Sequence, residues 1–273
     1  MQKKCARVAA VLLAFALFAC LFALPAGAAG EQTLEAMFSG YTGGGRSNLS
    51  LKLEGDTATF SYSPLFHVER NFPGYAPLTD GDVAWIVDQC VAGFKLWEGE
   101  YAVRGRTLTL VVDVDAKMAA NSGQANVRVM PRGESSNAGS ASFSALFWNP
   151  GYTTTINLRP NYPMDEMYYL YVGAHEFGHA LGLNDAYSYA NRFDSSNIFG
   201  WFMNMLYGFA QPAAPYDRAP YDAIMRTSWY ATIYDRDAEM VLWAWRNGRF
   251  QLYSDSIMMY LSFWFEVSPA FFY

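Results

Sequence analysis

The sequence is short of histidine and cysteine, and its acids outnumber its bases. Of 273 residues, three are His and three are Cys. Cys5 and Cys20 lie in the first thirty residues, so a chain that loses that segment keeps Cys90 alone and can form no internal disulfide. Its stability must then come from a packed core, for which the 17% aromatic content supplies area. There are 25 acidic against 19 basic residues, a net charge of −6. Loss of residues 1–28 would remove three bases and no acids, taking the net charge to −9. Such a surface repels phosphate backbones and anionic bilayers, which argues against nucleic acid or a stable membrane partner. No internal repeat is present, and the length suits one sizeable domain with inserts, expected as a monomer.

The first residues differ from the rest. Lys3, Lys4 and Arg7 precede an apolar run, Val8 to Leu24, which ends in Pro25 and the small residues Ala26-Gly27-Ala28. This is the layout of a secretory signal cleaved after Ala28, and it predicts a secreted, extracellular protein. Two other readings stay open. The run has 17 residues, near the lower limit of a membrane span, so an uncleaved anchor is one. The other is "LFAC", Leu17 to Cys20, which resembles a lipobox, although the residues after Cys20 stay hydrophobic where a lipidated Cys is followed by a solvated tether.

Residues 29–63 read as an N-terminal arm and hairpin, with a pro-segment as an open possibility, and residues 64–273 as the main domain. The Gly- and Ser-rich stretch Ser39 to Asn48 predicts a flexible arm. "LSLKL" and "ATFSYS" alternate about Glu54-Gly55-Asp56 and predict a hairpin. From Thr79 to Trp97, Val83, Ile86, Val87, Cys90, Val91, Phe94 and Trp97 recur at helical spacing, and Thr79 with Asp82 forms a capping-box start. Cys90 falls within that stripe and reads as a small buried hydrophobe, not a reactive thiol. Strands are expected at Thr107 to Val112, Asn126 to Met130, Phe143 to Trp148 and Thr153 to Leu158. A second helix should run from near Asp165 to Gly182, and a third over Tyr234 to Asn247. Tyr187 to Tyr221, rich in Tyr, Phe, Met and Pro, reads as a long inserted loop. The apolar tail from Ile257 to Tyr273 is too interrupted to span a bilayer and reads as core packing.

The second helix carries "HEFGHALGLNDAY", His175 to Tyr187. His175 and His179 are one turn apart and project from one face, so both imidazoles can reach a single ion. A catalytic zinc takes three protein ligands and leaves its fourth position to water, and Glu176 is placed to act as general base and acid. The third ligand is open. His67 has no spacing that suggests metal geometry, so a carboxylate is expected. Asp185, six residues past His179 and beyond a helix-ending Gly182, is favoured, with Glu239 on the third helix as the alternative. "DVD", Asp113 to Asp115, is too slight a signal for calcium.

The stretch His175 to Asp185 fits H-E-x-x-H-x-x-G-x-x-D and resembles the metzincin zinc endopeptidases. The Asp in place of a third His resembles the snapalysin-type secreted bacterial proteases. By organisation the resemblance covers Phe66 to Gly248. It implies an α+β fold: a twisted mixed sheet with an antiparallel edge strand, two main helices and a C-terminal helix. It also implies a zinc cofactor held by His175, His179 and Asp185, catalysis by Glu176, and protein or peptide substrates bound extended. Met225 in "YDAIMRTSW" would form a turn that supports the site from below together with Gly182, although the 39 residues between Asp185 and Met225 are more than small snapalysin-like enzymes have. "TTTINL" would be the edge strand. Tyr230 would be an oxyanion donor in such enzymes, but its spacing from Met225 differs from theirs and favours a packing tyrosine. Without activity, the same parts would make a secreted binding module.

Overall fold

The computed structural model describes residues 38–45, 48–131, 137–140, 154–183, 222–226 and 229–247. Period-two patterning builds most of its strands. β2 (Leu49–Glu54) and β3 (Thr57–Tyr62) pair antiparallel about a tight turn in which Gly55 has φ 58°. Leu49, Leu51, Ala58, Phe60 and Tyr62 point into the core, as the alternation requires. The hairpin is flanked by β1 (Gly43–Gly45) on one side and by the long β6 (Arg106–Val114) on the other, with β5 (Gly99–Val103) beyond it. β3 runs parallel to β6, and the other pairs are antiparallel.

A second five-stranded sheet follows the order β7 (Lys117–Met118), β4 (Leu65–Val68), β8 (Val127–Val129), β10 (Thr154–Leu158), β9 (Asn137–Ser140). Its inward row is Phe66, Val68, Val127, Val129, Ile156 and Leu158. The chain passes from the first sheet to the second twice, at Ser63-Pro64 and at Asp115-Ala116. Those crossings stay side by side, with Asp115 N donating to Tyr62 O (2.9 Å) and Lys117 N to Pro64 O (3.0 Å). Pro64 has no N–H, so the ladder is interrupted there.

The fold is therefore α+β, with three helices and mixed sheets among the described residues. Three sequence expectations are corrected. The strands form two sheets, not one. The supposed flexible arm contributes β1, because Gly43 to Gly45 can approach β2 closely; a Cβ on Gly43 would collide with the Leu51 carbonyl. "TTTINL" is not an edge: β10 has β8 on one side, parallel, and β9 on the other, antiparallel. Among the described residues the strand at that edge is β9, in a stretch that lacks the β-branched residues of a recognisable strand.

α1 (Asp80–Lys95) begins with the expected capping box. Thr79 Oγ1 accepts from Asp82 N at 3.2 Å, and Asp82 Oδ2 accepts from Thr79 N at 2.8 Å. Cys90 is fully buried in its stripe, and burial pushes the thiol pKa up, as suits a packing residue. α1 packs closely on α2 (Glu166–Leu181), since a Cβ on Gly93 would lie 2.5 Å from the Tyr169 carbonyl oxygen. Phe94 stacks on Phe177 at 5.0 Å between centroids, with Tyr62 beside both.

α3 (Asp235–Asn247) lies against the first sheet. Trp245 meets Phe60 edge-on at 5.5 Å, Trp243 meets Phe38 at 5.7 Å, and Arg246 lies over the Tyr41 ring. Sheet pairing and packing thus cross the boundary expected at residue 63. The expected signal segment, the strand expected at Phe143 to Trp148, Asp185, the expected insert 187–221 and the apolar tail lie outside the described residues. Among the described residues no helix is long and apolar enough to cross a membrane.

Candidate metal centre

α2 starts and stops where its sequence says it should. Asp165 caps the first turn by accepting from Tyr168 N (3.0 Å), and the Tyr169 hydroxyl donates to Pro163 O (2.7 Å). At the other end Gly182 takes a left-handed conformation, φ 106° and ψ 17°. Gly182 N donates to His179 O and Leu183 N to Gly178 O, both at 3.0 Å, which completes a Schellman turn.

Within α2, His175 and His179 face one another across one helical turn, their rings perpendicular with centroids 5.0 Å apart. His175 is 4% exposed and His179 half-buried. Nδ1 of His175 lies 2.7 Å from the Ile224 carbonyl oxygen, and Nδ1 of His179 lies 2.8 Å from the Leu183 carbonyl oxygen. A carbonyl only accepts, so each Nδ1 must carry the hydrogen, and in the neutral ring each Nε2 then carries the lone pair. This is how proteins fix imidazoles that ligate a metal: one nitrogen is tied to the backbone, and the other is presented as a donor atom.

Glu176, next to His175, is also 4% exposed. A carboxylate so buried requires cations or hydrogen-bond donors to answer it. Beneath the helix lies the turn at residues 222–226. Ile224 supplies the carbonyl to His175, and Met225, fully buried, packs its sulfur against Gly178. Any side chain at Gly178 would collide with Met225 Sδ and approach Trp97 Cζ2 to 2.8 Å. Glycine inside a helix costs about 1 kcal/mol relative to alanine, and here that cost admits the turn.

Two tryptophans hold α2 by its backbone carbonyls. Trp97 Nε1 donates to Ala174 O at 2.9 Å, and Trp245 Nε1 donates to Leu181 O at 3.0 Å. The sequence marked Trp97 only as the last residue of an apolar stripe and gave Trp245 no role. Gly178 carried a usable signal, being a glycine inside an otherwise good helical pattern.

Other candidates are placed elsewhere. His67 lies on β4, in register with Arg128 of β8. The Glu239 carboxylate is bonded to Arg104 Nε at 2.7 Å in a largely buried ion pair on the β5 side of α3. Among the described residues no group of three His, Cys, Asp or Glu that could hold a metal is present. Asp185 lies two residues beyond the last described residue of α2's turn, Leu183. Tyr230 does not pack as a core residue: it is 74% exposed, has φ 51°, and sets its ring 5.7 Å from that of Tyr171, one turn before His175.

No family model, curated protein or solved structure matches the chain.

Proposed function

We propose that the chain is a secreted, zinc-dependent endopeptidase of the metzincin type. The observation that carries this reading is the paired arrangement of His175 and His179, each with Nδ1 on a backbone carbonyl and Nε2 as the donor nitrogen. That donor set suits zinc, and Asp185, just past the reversal at Gly182, is the proposed third ligand. Zinc, when bound, would supply Lewis acidity toward a water molecule and a peptide carbonyl.

The chain's own residues do the rest. Glu176 takes the proton from the attacking water and returns it to the leaving amine. The Schellman turn and the Met225 turn hold the two imidazoles against rotation. β9, which among the described residues is at the edge of its sheet and packed beside α2, would offer backbone groups to which an extended substrate strand can add. Tyr230, exposed and with its ring beside that of Tyr171, would be the phenol that donates a hydrogen bond to the developing oxyanion.

The test is cleavage of an unfolded protein by purified, zinc-loaded chain, with the cut sites mapped by mass spectrometry. Internal cuts abolished in Glu176→Gln are expected. Absence of cleavage by the zinc-loaded wild type would overturn the enzyme assignment and leave a secreted binding module.

A further inference from the structure

The carbonyl that orients His175 belongs to a loop with its own fastening. Ala223 and Thr232 form an isolated parallel bridge, in which Ile224 N donates to Thr232 O (2.9 Å) and Thr232 N to Asp222 O (2.7 Å). The Asp222 side chain closes the same junction. Its Oδ1 accepts from the Tyr234 hydroxyl at 2.7 Å, and its Oδ2 accepts from Thr232 Oγ1 at 3.3 Å. Tyr234 stands at the start of α3, where its backbone N–H donates to Oδ2 of the fully buried Asp237 (2.8 Å). The clasp is thereby anchored to a helix and not merely to more loop. The Tyr234 hydrogen bond holds the Asp222 carboxyl below the usual carboxylate range and raises the Tyr234 phenol, so acceptor and donor both keep their forms at neutral pH.

We propose that Asp222 is a positioning residue: through Thr232 and Tyr234 it sets the place of the Ile224 carbonyl, and through that carbonyl the tautomer and ring direction of His175. Only one residue separates Asp222 from Ile224. A loop displacement of about 1 Å would carry a 2.7 Å hydrogen bond outside bonding range. Met225, seated in the core, keeps the turn near the helix, so loss of the clasp blurs the carbonyl's position without unfolding the site. The consequence for zinc affinity rests on the zinc reading; the consequence for the His175 tautomer does not.

The experiment uses both readouts on the full chain. Zinc affinity is measured by competition with a chelator, and the histidine ring nitrogens are observed by 15N NMR in metal-free protein, where only three histidines contribute. Wild type should show His175 as a single Nδ1–H tautomer. Asp222→Ala should mix the tautomers and weaken zinc by about tenfold, the scale on which partners of ligating histidines act. Asp222→Asn, which keeps an acceptor for Tyr234 and offers an N–H to Thr232, should stay close to wild type. Tyr234→Phe, which removes one hydroxyl and keeps the ring, should reproduce part of the loss and guards against a folding artefact in Asp222→Ala. An unchanged His175 spectrum in Asp222→Ala overturns the proposal whatever the zinc affinity does. A wild type that binds no zinc, with the tautomer still mixed in Asp222→Ala, would sink the zinc reading and leave the positioning role standing.

Discussion

At the scale of single residues, the site is shaped by where side chains are absent as much as by where they are present. Gly178 gives Met225 its seat, and Gly182 lets the chain reverse so that Leu183 can offer its carbonyl to His179. Gly178→Ala should therefore cost about 1–3 kcal/mol through overpacking, read as a lower urea midpoint, and should loosen the turn that orients His175. The candidate site was legible in part. His175, Glu176 and His179 announce themselves by spacing, and the helix-ending glycine by its position. The two orienting carbonyls were not legible, because backbone oxygens have no sequence signature and Ile224 lies 49 residues from His175. A residue outside the site gives a pH prediction. Hydrogen bonds from Thr79 hold the Asp82 carboxyl below its ordinary range, so the cap it makes on α1 is complete above the unfolded-state value. The cap is lost as pH falls through the lower folded value. Carboxyl NMR of Asp82 across acid pH should show that depressed titration, and an Asp82 that titrates at the unfolded value would refute it.

At the scale of elements, α2 is a buried helix gripped at several points. Trp97 reaches it from the end of α1, and Trp245 reaches its C-terminal carbonyls from α3. Trp245→Phe keeps most of the ring packing but orphans the Leu181 carbonyl. It should cost about 1–3 kcal/mol by denaturant unfolding. A loss below a few tenths of a kcal/mol would mean that the indole hydrogen bond does not matter. Helices were legible almost to the residue, because caps, glycines and the 3.6-residue period all agree over Asp80–Lys95, Glu166–Leu181 and Asp235–Asn247. Strands were legible as segments but not as neighbours. β10 reads as an edge until β9 is seen beside it, and "NAGS" has no composition that marks a strand.

At the scale of the whole molecule, the hairpin at residues 49–62 is built into the main body. β3 lies in parallel register with β6 from Thr57↔Thr109 to Tyr62↔Val114, and Phe60 meets Trp245, the residue that caps α2. Local alternation predicted the hairpin but could not reveal its long-range partner, since parallel pairing leaves no trace in adjacent sequence. A chain truncated to residues 64–273 would expose the inner edge of β6 and uncover Trp245. It should show no cooperative thermal transition, whereas a sharp one would mean that the segment before residue 64 is dispensable, as a removable pro-segment requires.

The proposed metal would be held by two histidines whose Nδ1 atoms are each tied to a backbone carbonyl. The most direct test is the zinc content of the purified chain after dialysis, measured by elemental analysis. The expected result is one zinc per chain, lost in His175→Ala and in His179→Ala while the circular dichroism of each variant stays that of the wild type. A wild type without zinc, or zinc retained at full stoichiometry in either variant, would contradict it.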